Sequence, residues 1–384
     1  MTDVAIASYA LNGFSDEVAS RGSDIVYDVS STALDRAGLT RDDVDAVIGC
    51  DQDGFTGVTV SFGMKACAAG GYNKPSTRMQ NGGVPTIQLA RAKIKAGKAD
   101  CVVIASEDMV EFDENIVSNI SHDPLYDRPV GRNQLVAYGL LADYYRNTAD
   151  VDERDFAAVA AKNYRAGADN PWAHRSGPRS VEEVRSADPV VGPLREPETC
   201  GVSAGGGAVV LVSARLADEI ETEPIWIDGA GLGSSRYSVH EMESVLQQPS
   251  LRHACRRAYE QAGIEDPRSE LDLAEVFDPA TPFELLGYEA LGLCQKGEAV
   301  QLLGSGTTAP DGELPVNPSG GALVTNPLNT GGLYRTIQAA SILVDRHPSR
   351  SMPDAERAVV TGGDLMLGTS GRTDGVLVLQ RGAS

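Results

Sequence analysis

One strand–helix pattern occurs twice along the chain in outline, and this repetition restricts the folds that the chain can adopt. Residues 33–47, ALDRAGLTRDDVDAV, and residues 258–276, AYEQAGIEDPRSELDLAEV, share a helix end, an Ala-Gly stop, an acidic turn and a strand. The segment 85–107, a helix and a strand after a glycine pair, is echoed by the segment that follows Gly331-Gly332. Repeated units of this kind predict two similar α/β halves, with chance similarity as the alternative.

The predicted halves are residues 1–215 and 216–384, and the first includes a loop region at about 110–200. Within both halves, apolar runs of strand length alternate with segments whose apolar residues recur at helical spacing. This alternation is typical of an α/β fold with buried strands. The predicted strands cover 3–10, 44–51, 100–107, 206–213 and 357–363, and the predicted helices cover 23–38, 85–96, 133–147, 153–166 and 333–346.

Charge and residue usage exclude several classes of function. The chain has 384 residues and a net charge of −21, which disfavours binding to the phosphate backbone of nucleic acids. No window approaches the roughly 18 apolar residues of a membrane span, and the first residues carry an acid where a signal peptide has basic residues. We therefore expect a cytoplasmic protein. None of the six cysteines forms a CxxC pair and no histidines form HxxxH, so we expect no metal site in this chain.

Three segments carry a resemblance to a known family. They are VFDPATPFELLGYEALGLCQKGEAVQLL (276–303), DGELPVNPSGGALVTNPLNTGG (311–332) and PLREPETCGVSAGGGAVVLVSARLA (193–217). They resemble the thiolase superfamily, in the branch of the sterol-carrier-protein thiolases and the cysteine-less, aldolase-like members of lipid-transfer-protein type. The resemblance implies a thiolase fold, in which two duplicated βαβαβαββ halves give a five-layer α-β-α-β-α arrangement. It also implies a coenzyme A thioester as substrate, with no covalently bound cofactor.

The chain departs from the family at the positions that carry the chemistry. The nucleophilic cysteine of the family falls on Gln80, and the histidine of the GHP motif falls on Asn326. The histidine of the preceding block falls on Phe277, and no cysteine follows Cys294. Covalent acyl transfer needs a reactive thiolate and a base, and the matched positions offer neither.

A reaction that needs an enolate, but no acyl-enzyme, fits these departures. We expect carbon–carbon bond cleavage or formation on an acyl-CoA thioester without a cysteine nucleophile, and the reaction that these departures favour is retro-aldol cleavage of a β-hydroxyacyl-CoA. One alternative is a non-catalytic, thiolase-like subunit that binds acyl-CoA or acts as a scaffold. Another is an acyl-CoA acyltransferase of the acetyl-CoA C-acetyltransferase type with an unusual active site.

The candidate site combines polar residues at the matched positions with glycines that leave backbone N–H groups accessible to an enolate. The predicted catalytic residues are Asp278, Asn326, Gln80 and Tyr237. The predicted substrate- and CoA-binding residues are Asn81, Gly82, Gly83, His240, Asn317, Gly320, Gly321, Gly332, Gly363 and Asp364.

Each polar candidate also has a structural interpretation. Asp278 is either a base in an apolar pocket or a cap of the helix that follows it. Gln80 and Asn81 are common turn formers, and Tyr237, His240 and Asp364 fit surface or turn positions. Tyr334 is interpreted as a core aromatic residue and Cys67 as a packed thiol.

The resemblance also predicts partners. Chains of this fold generally pair through their N-terminal halves, so we expect a homodimer that binds acyl-CoA. A small partner subunit with a zinc ribbon and an OB fold, which supplies a CoA adenosine site, is a further expectation. Neither a nucleic-acid partner nor a membrane span is expected.

Overall fold

A computed structural model describes residues 3–18, 20–53, 59–80, 82–109, 122–175, 177–236, 242–363 and 373–382. Its strands are β1 (Val4–Leu11), β2 (Ala46–Cys50), β3 (Ser76–Met79), β4 (Cys101–Asp108), β5 (Pro189–Val191), β6 (Leu194–Arg195), β7 (Gly205–Ser213), β8 (Ile225–Ser234), β9 (Leu273–Glu275), β10 (Arg357–Gly363) and β11 (Thr373–Arg381). Its helices are α1 (Gly22–Arg36), α2 (Gly83–Lys95), α3 (Gln134–Thr148), α4 (Glu153–Gly167), α5 (Val181–Ser186), α6 (Ala214–Ala217), α7 (Met242–Gln247), α8 (Pro249–Ala262), α9 (Pro267–Glu270), α10 (Thr281–Ala290), α11 (Ala299–Gly304), α12 (Gly321–Val324) and α13 (Gly331–Leu343).

The strands form a sheet with the order β3-β2-β4-β7-β1-β8-β11-β10-β9, and its two arms have the same design. In one arm β1, β7 and β4 pair antiparallel, and β4, β2 and β3 pair parallel. In the other arm β8, β11 and β10 pair antiparallel, β10 and β9 pair parallel, and Val316 bridges Ala274 where the first arm has β3. The arms meet where Ala5 and Ile6 of β1 pair with Trp226 and Ile225 of β8.

Five layers result, because each arm of the sheet is apolar on both faces. Helices α2 and α13 lie between the two arms of the sheet. Ile87 and Ile337 of these helices belong to one apolar core with residues from both arms. Helix α1 covers the outer face of the first arm, and Val26 packs with Val103 and Val210 there. Helix α8 covers the second arm. The predicted α/β thiolase fold and its layers are confirmed, whereas the division at residue 215 stays a prediction.

Alternating glycines in β8 let α8 lie against the sheet at backbone distance. A Cβ atom on Gly229, Gly231 or Gly233 would stand only 1.9–2.2 Å from carbonyl oxygens of α8. Every second residue of a strand points to the same face, so the three glycines form one groove. This groove explains the sequence GAGLGSS at the end of the strand.

The segment between β4 and β7 packs on the second half. Helices α3 and α4 share the core with α10, where the rings of Tyr138 and Phe283 lie 5.4 Å apart, edge to face. A Cβ atom on Gly167, at the end of α4, would lie 2.8 Å from Val324 of α12. The long proline-rich connection folds into α5 and the β5–β6 hairpin.

In the parts of the chain that the structure describes, no helix combines the length and apolarity of a bilayer span.

Candidate active site

The centre of the candidate site is the contact between the N-terminal ends of α2 and α13. A Cβ atom on Gly83 would stand 2.2 Å from the backbone nitrogen of Leu333, and one on Gly332 would stand 2.6 Å from the nitrogen of Val84. Only glycine at both positions allows this approach. Helix N-termini carry unpaired N–H groups and partial positive charge, so the contact concentrates positive potential at one place.

The loop before α2 approaches the end of β10. Gly82 is the N-cap residue of α2, with φ of +82°, and a Cβ atom there would lie 2.7 Å from the carbonyl oxygen of Gly363. Gln80 is exposed, and its backbone carbonyl accepts a hydrogen bond of 2.6 Å from Nε2 of Gln52. Four predicted site residues lie outside the described residues: Asn81, Tyr237, His240 and Asp364.

Asn326 is held by the loop that precedes β7. Its backbone N–H donates to Oγ of Ser203 at 3.0 Å, and its side-chain Nδ2 donates to the carbonyl of Gly201 at 2.9 Å and contacts Sγ of Cys200 at 3.2 Å. The residue is almost fully buried, and its Oδ1 is bonded to no other described residue. The amide donors therefore face the Cys200 loop in this conformation. His174 Nδ1 lies 2.9 Å from Oγ of Ser203, and the backbone N–H of His174 donates to Oγ1 of Thr325 at 3.0 Å.

Arg335 is a buried cation that the sequence reasoning missed. It lies on α13, its guanidinium carbon is 4.7 Å from the centre of the Phe277 ring, and its Nε donates to the carbonyl of Thr361 at 3.0 Å. Burial lowers the pKa of the guanidinium to about 10, although Asp278 and Glu275 favour the charged form. The available signal was one arginine in an otherwise uncharged helix, GGLYRTIQAASIL.

Asp278 belongs to a buried hydrogen-bond network behind Phe277. One of its oxygens accepts the N–H of Ala322 at 2.6 Å, and the other accepts from Nδ2 of Asn163 at 2.7 Å. Burial raises the pKa of the Asp278 carboxyl, and the neighbouring Glu284 raises it further. The alternative role as cap of α10 is wrong, because the N-cap residue Ala280 has no side-chain bond and Asp278 binds α12 instead.

Asn317, Gly320 and Gly321 lie at this network. Oδ1 of Asn317 accepts the N–H of Val276 and its Nδ2 donates to Oε2 of Glu284, both at 2.8 Å. Gly320 and Gly321 have φ of +104° and +66°, and a Cβ atom on Gly321 would lie 2.6 Å from the carboxylate of Asp278. These three residues shape the backbone that holds Asp278, and their predicted part in substrate binding stays a prediction.

The cysteines differ from the sequence prediction in one case. Cys67 is exposed, so its interpretation as a packed thiol was wrong. Its segment forms turns on the surface, where the small residues of ACAAGG do not bury the thiol.

Tyr334 is fully buried, which confirms its interpretation as a core residue. Among the described residues, no three His, Cys, Asp or Glu side chains converge as a metal site requires.

The sheet, the paired central helices and their glycine contact define a protein of the thiolase fold. Comparison with known proteins agrees: residues 231–381 match the family described as Thiolase C-terminal domain-like. A solved structure described as an Ltp2-ChsH2(DUF35) aldolase has a TM-score of 0.83 and 25% sequence identity, and the match covers 99% of this chain and 98% of that one.

Relatives of known activity extend the similarity. The benzoylsuccinyl-CoA thiolase subunit BbsB of Thauera aromatica is 29% identical over 226 residues, which is 58% of this chain and 58% of that protein. The 17-hydroxy-3-oxo-4-pregnene-20-carboxyl-CoA lyase of Mycobacterium tuberculosis is 28% identical over 313 residues, 76% of this chain and 79% of that protein. The chain is thus similar to the thiolase superfamily, and its relatives include the sterol-carrier-protein thiolases and lipid-transfer-type, aldolase-like members.

Proposed function

We propose that the protein cleaves a carbon–carbon bond in an acyl-CoA thioester, by retro-aldol reaction of a β-hydroxyacyl-CoA, without a nucleophile on the loop before α2. The observation that carries the proposal is the contact of Gly83 with Gly332. The chain thus keeps the paired N-terminal ends of α2 and α13, whereas the position that matches the family cysteine is occupied by the exposed Gln80. The similarity to a lyase and to an aldolase supports the same reaction class.

The proposed reaction needs no covalent intermediate. A base removes the proton of the β-hydroxyl group, the Cα–Cβ bond breaks, and an aldehyde or ketone leaves. The electron pair of the broken bond passes to the thioester as an enolate, which is then protonated on Cα. Backbone N–H groups and positive potential at helix N-termini stabilise such an oxyanion, and one preorganised donor contributes about 3 kcal/mol.

The described residues supply positive potential from the helix ends and from Arg335. A Cβ atom on Gly331, at the start of α13, would lie 3.6 Å from Nη1 of Arg335, and the guanidinium of Arg335 lies against the Phe277 ring. We assign Asn326 the role of a thioester-carbonyl donor, which requires its amide to turn from Gly201. Asp278 is the proposed base, and this role requires that Asn163 or Ala322 release one of its oxygens.

Product analysis tests the proposal directly. The purified protein is incubated with a series of β-hydroxyacyl-CoAs, alone and with a zinc-ribbon subunit, and the shortened acyl-CoA and the carbonyl product are measured by mass spectrometry. We expect both products in equal amounts, with a strong decrease for Asn326→Ala and none for the surface control Cys67→Ala. Acyl-CoA binding without any product refutes the lyase proposal and supports the binding or scaffold function.

We also propose a homodimer and a second type of subunit. Strand β3 is the last strand of its arm within the described residues, which leaves one of its edges available for pairing. The description Ltp2-ChsH2(DUF35) aldolase names a second component beside the related chain, and this supports a small partner here. Light scattering of the purified chain, alone and co-expressed with such a partner, gives the stoichiometry. A monomeric mass under both conditions contradicts both proposals.

A further inference from the structure

We propose that Cys200 is a second reaction centre, which accepts the acyl group of an acyl-CoA as a thioester, so that the protein also exchanges acyl groups between thiols. The inference rests on the proposed CoA-thioester substrate class. It assigns a nucleophile that lies on a different loop from the one matched to the family cysteine.

The fold places Cys200 beside the residues of the candidate site. Cys200 is half-buried in the loop before β7, and its N–H donates to the carbonyl of Pro279 at 2.9 Å, two residues after Phe277. Its Sγ lies 3.2 Å from Nδ2 of Asn326, the position that matches the GHP histidine of the family. An amide donor at this distance stabilises negative charge on sulfur.

Two guanidinium groups belong to the surroundings of the candidate site: one contacts the neighbours of Cys200 in the chain, and the other contacts Phe277. Nη1 of Arg175 donates to the carbonyl of Thr199 at 3.1 Å, and its guanidinium packs on Gly201. Arg335 of α13, with its guanidinium against Phe277, is the second. Burial disfavours the charged form of both guanidinium groups, whereas negative charge on Cys200 favours it and contributes in the opposite direction to the pKa of each arginine. Nearby cations favour the thiolate, which is the nucleophilic form of cysteine.

Two further groups in this cluster have unused hydrogen-bonding capacity. Oδ1 of Asn326 and Nη1 of Arg335 are buried polar atoms without a hydrogen-bond partner among the described residues, and the exposed fractions of the two residues are 3% and 1%. Buried polar atoms are nearly always paired in native proteins, so such atoms point to a missing ligand. Nη1 matches the carbonyl oxygen of a thioester, and Oδ1 matches an amide N–H of the pantetheine arm.

No other cysteine has this environment. Cys50, Cys101 and Cys255 are buried, and burial raises the pKa of all three thiols. Burial likewise raises the pKa of Cys294 to about 12, and the acids Glu289 and Glu298 contribute. Cys67 is exposed and serves as the matched control.

The proposed step is a thiol–thioester exchange without a redox change. The Cys200 thiolate attacks the acyl carbonyl, a bond forms between Sγ and the carbonyl carbon, and the bond between that carbon and the CoA sulfur breaks. CoA leaves as a thiolate and takes up the proton that Cys200 lost. A second thiol reverses the sequence and removes the acyl group.

Exchange of isotopically labelled CoA into unlabelled acetyl-CoA and butyryl-CoA tests this inference, because the exchange is detected even when the acyl-enzyme does not accumulate. We expect exchange by the wild-type protein and by Cys67→Ala, and no exchange above the protein-free control by Cys200→Ala or Cys200→Ser. Asn326→Asp places a carboxylate beside the thiol and slows the exchange. Circular dichroism and the thermal midpoint show whether each variant is folded.

The outcomes separate this inference from the lyase proposal. Exchange that persists in folded Cys200→Ser, or that is lost in Cys67→Ala, overturns the assignment of Cys200. Carbonyl product from β-hydroxyacyl-CoAs without any exchange by the wild-type protein overturns the inference and leaves the lyase proposal intact. Exchange without carbonyl product supports Cys200 and refutes the lyase proposal.

Discussion

Replacement of Gly83 by alanine tests the contact between the two central helices, on which the candidate site depends. The added Cβ atom would lie 2.2 Å from the nitrogen of Leu333 and 2.6 Å from the carbonyl carbon of Gly332, whereas real Cβ contacts essentially never fall below 3.0 Å. Both neighbours are backbone atoms, so no side-chain rotation relieves the overlap. Helix α2 must therefore move away from α13.

The energetic cost follows from this geometry. Overpacking of a close contact costs about 1–3 kcal/mol, and the upper part of this range applies where backbone meets backbone. Alanine regains at most about 1 kcal/mol over glycine in a helix. The φ of Gly83 is not in the left-handed region, so no conformational strain adds to the cost. We expect Gly83→Ala to lower the free energy of unfolding by about 2 kcal/mol.

Urea unfolding followed by circular dichroism measures this difference. Gly304→Ala, at the end of α11, is the matched control, because a Cβ atom there has nothing within 4 Å. It should leave the stability unchanged or raise it by about 0.5–1 kcal/mol. Displacement of the α2 end by about 1 Å should also reduce carbon–carbon cleavage about 100-fold in Gly83→Ala. Equal stability of the two variants would refute the helix contact and the site built on it.

Three further changes test the surrounding electrostatics. Asn326→Ala should reduce kcat for cleavage by about 100- to 1000-fold in the product assay, and an unchanged kcat would exclude Asn326 as an oxyanion donor. Burial raises the pKa of Glu275 to about 7, so the stability that its protonated form contributes is lost as pH rises from about 4.5 through 7. The unfolding free energy of Glu275→Gln, relative to that of the wild type, should therefore increase by up to about 3 kcal/mol as pH rises from 4 to 8 in urea titrations. Parallel pH profiles of the two proteins would contradict the raised pKa of Glu275. Lys65 forms buried ion pairs with Asp51, at 2.6 Å, and with Glu107. Lys65→Met should cost about 3–5 kcal/mol of unfolding free energy, with partial rescue by Glu107→Gln, and a neutral Lys65→Met would refute the pairing.

Local patterns were sufficient for the five strands and five helices that were predicted, whereas β8 and β11 were not among them. The strand predicted at 357–363 coincides with β10, and the helix predicted at 153–166 differs from α4 by one residue. Alternation of apolar residues and glycine stops act within a few residues, so the linear sequence records them directly.

Side-chain partners were harder to predict, because they join residues that are far apart in the chain. Asp278 was interpreted as a base or as a cap of its own helix, and no local pattern indicated that it would bind Ala322 and Asn163 of other elements. In the sequence, Arg335 is one charged residue in an apolar helix. Its contact with Phe277 depends on how α13 packs in the folded protein. The distances between these groups do not depend on any local spacing.

The sequence by itself determined the order of strands and helices, the repeat of one α/β design and the absence of a thiol at the matched nucleophile position. The tertiary structure alone decided that Gly83 meets Gly332, that Asp278 is withdrawn into a buried network and that Cys200 contacts Asn326. The physical reason is the distance along the chain over which each kind of interaction acts. Backbone conformation follows from neighbours a few residues away, whereas burial, charge pairing and close approach depend on surfaces that meet only when both arms of the sheet close around the central helices.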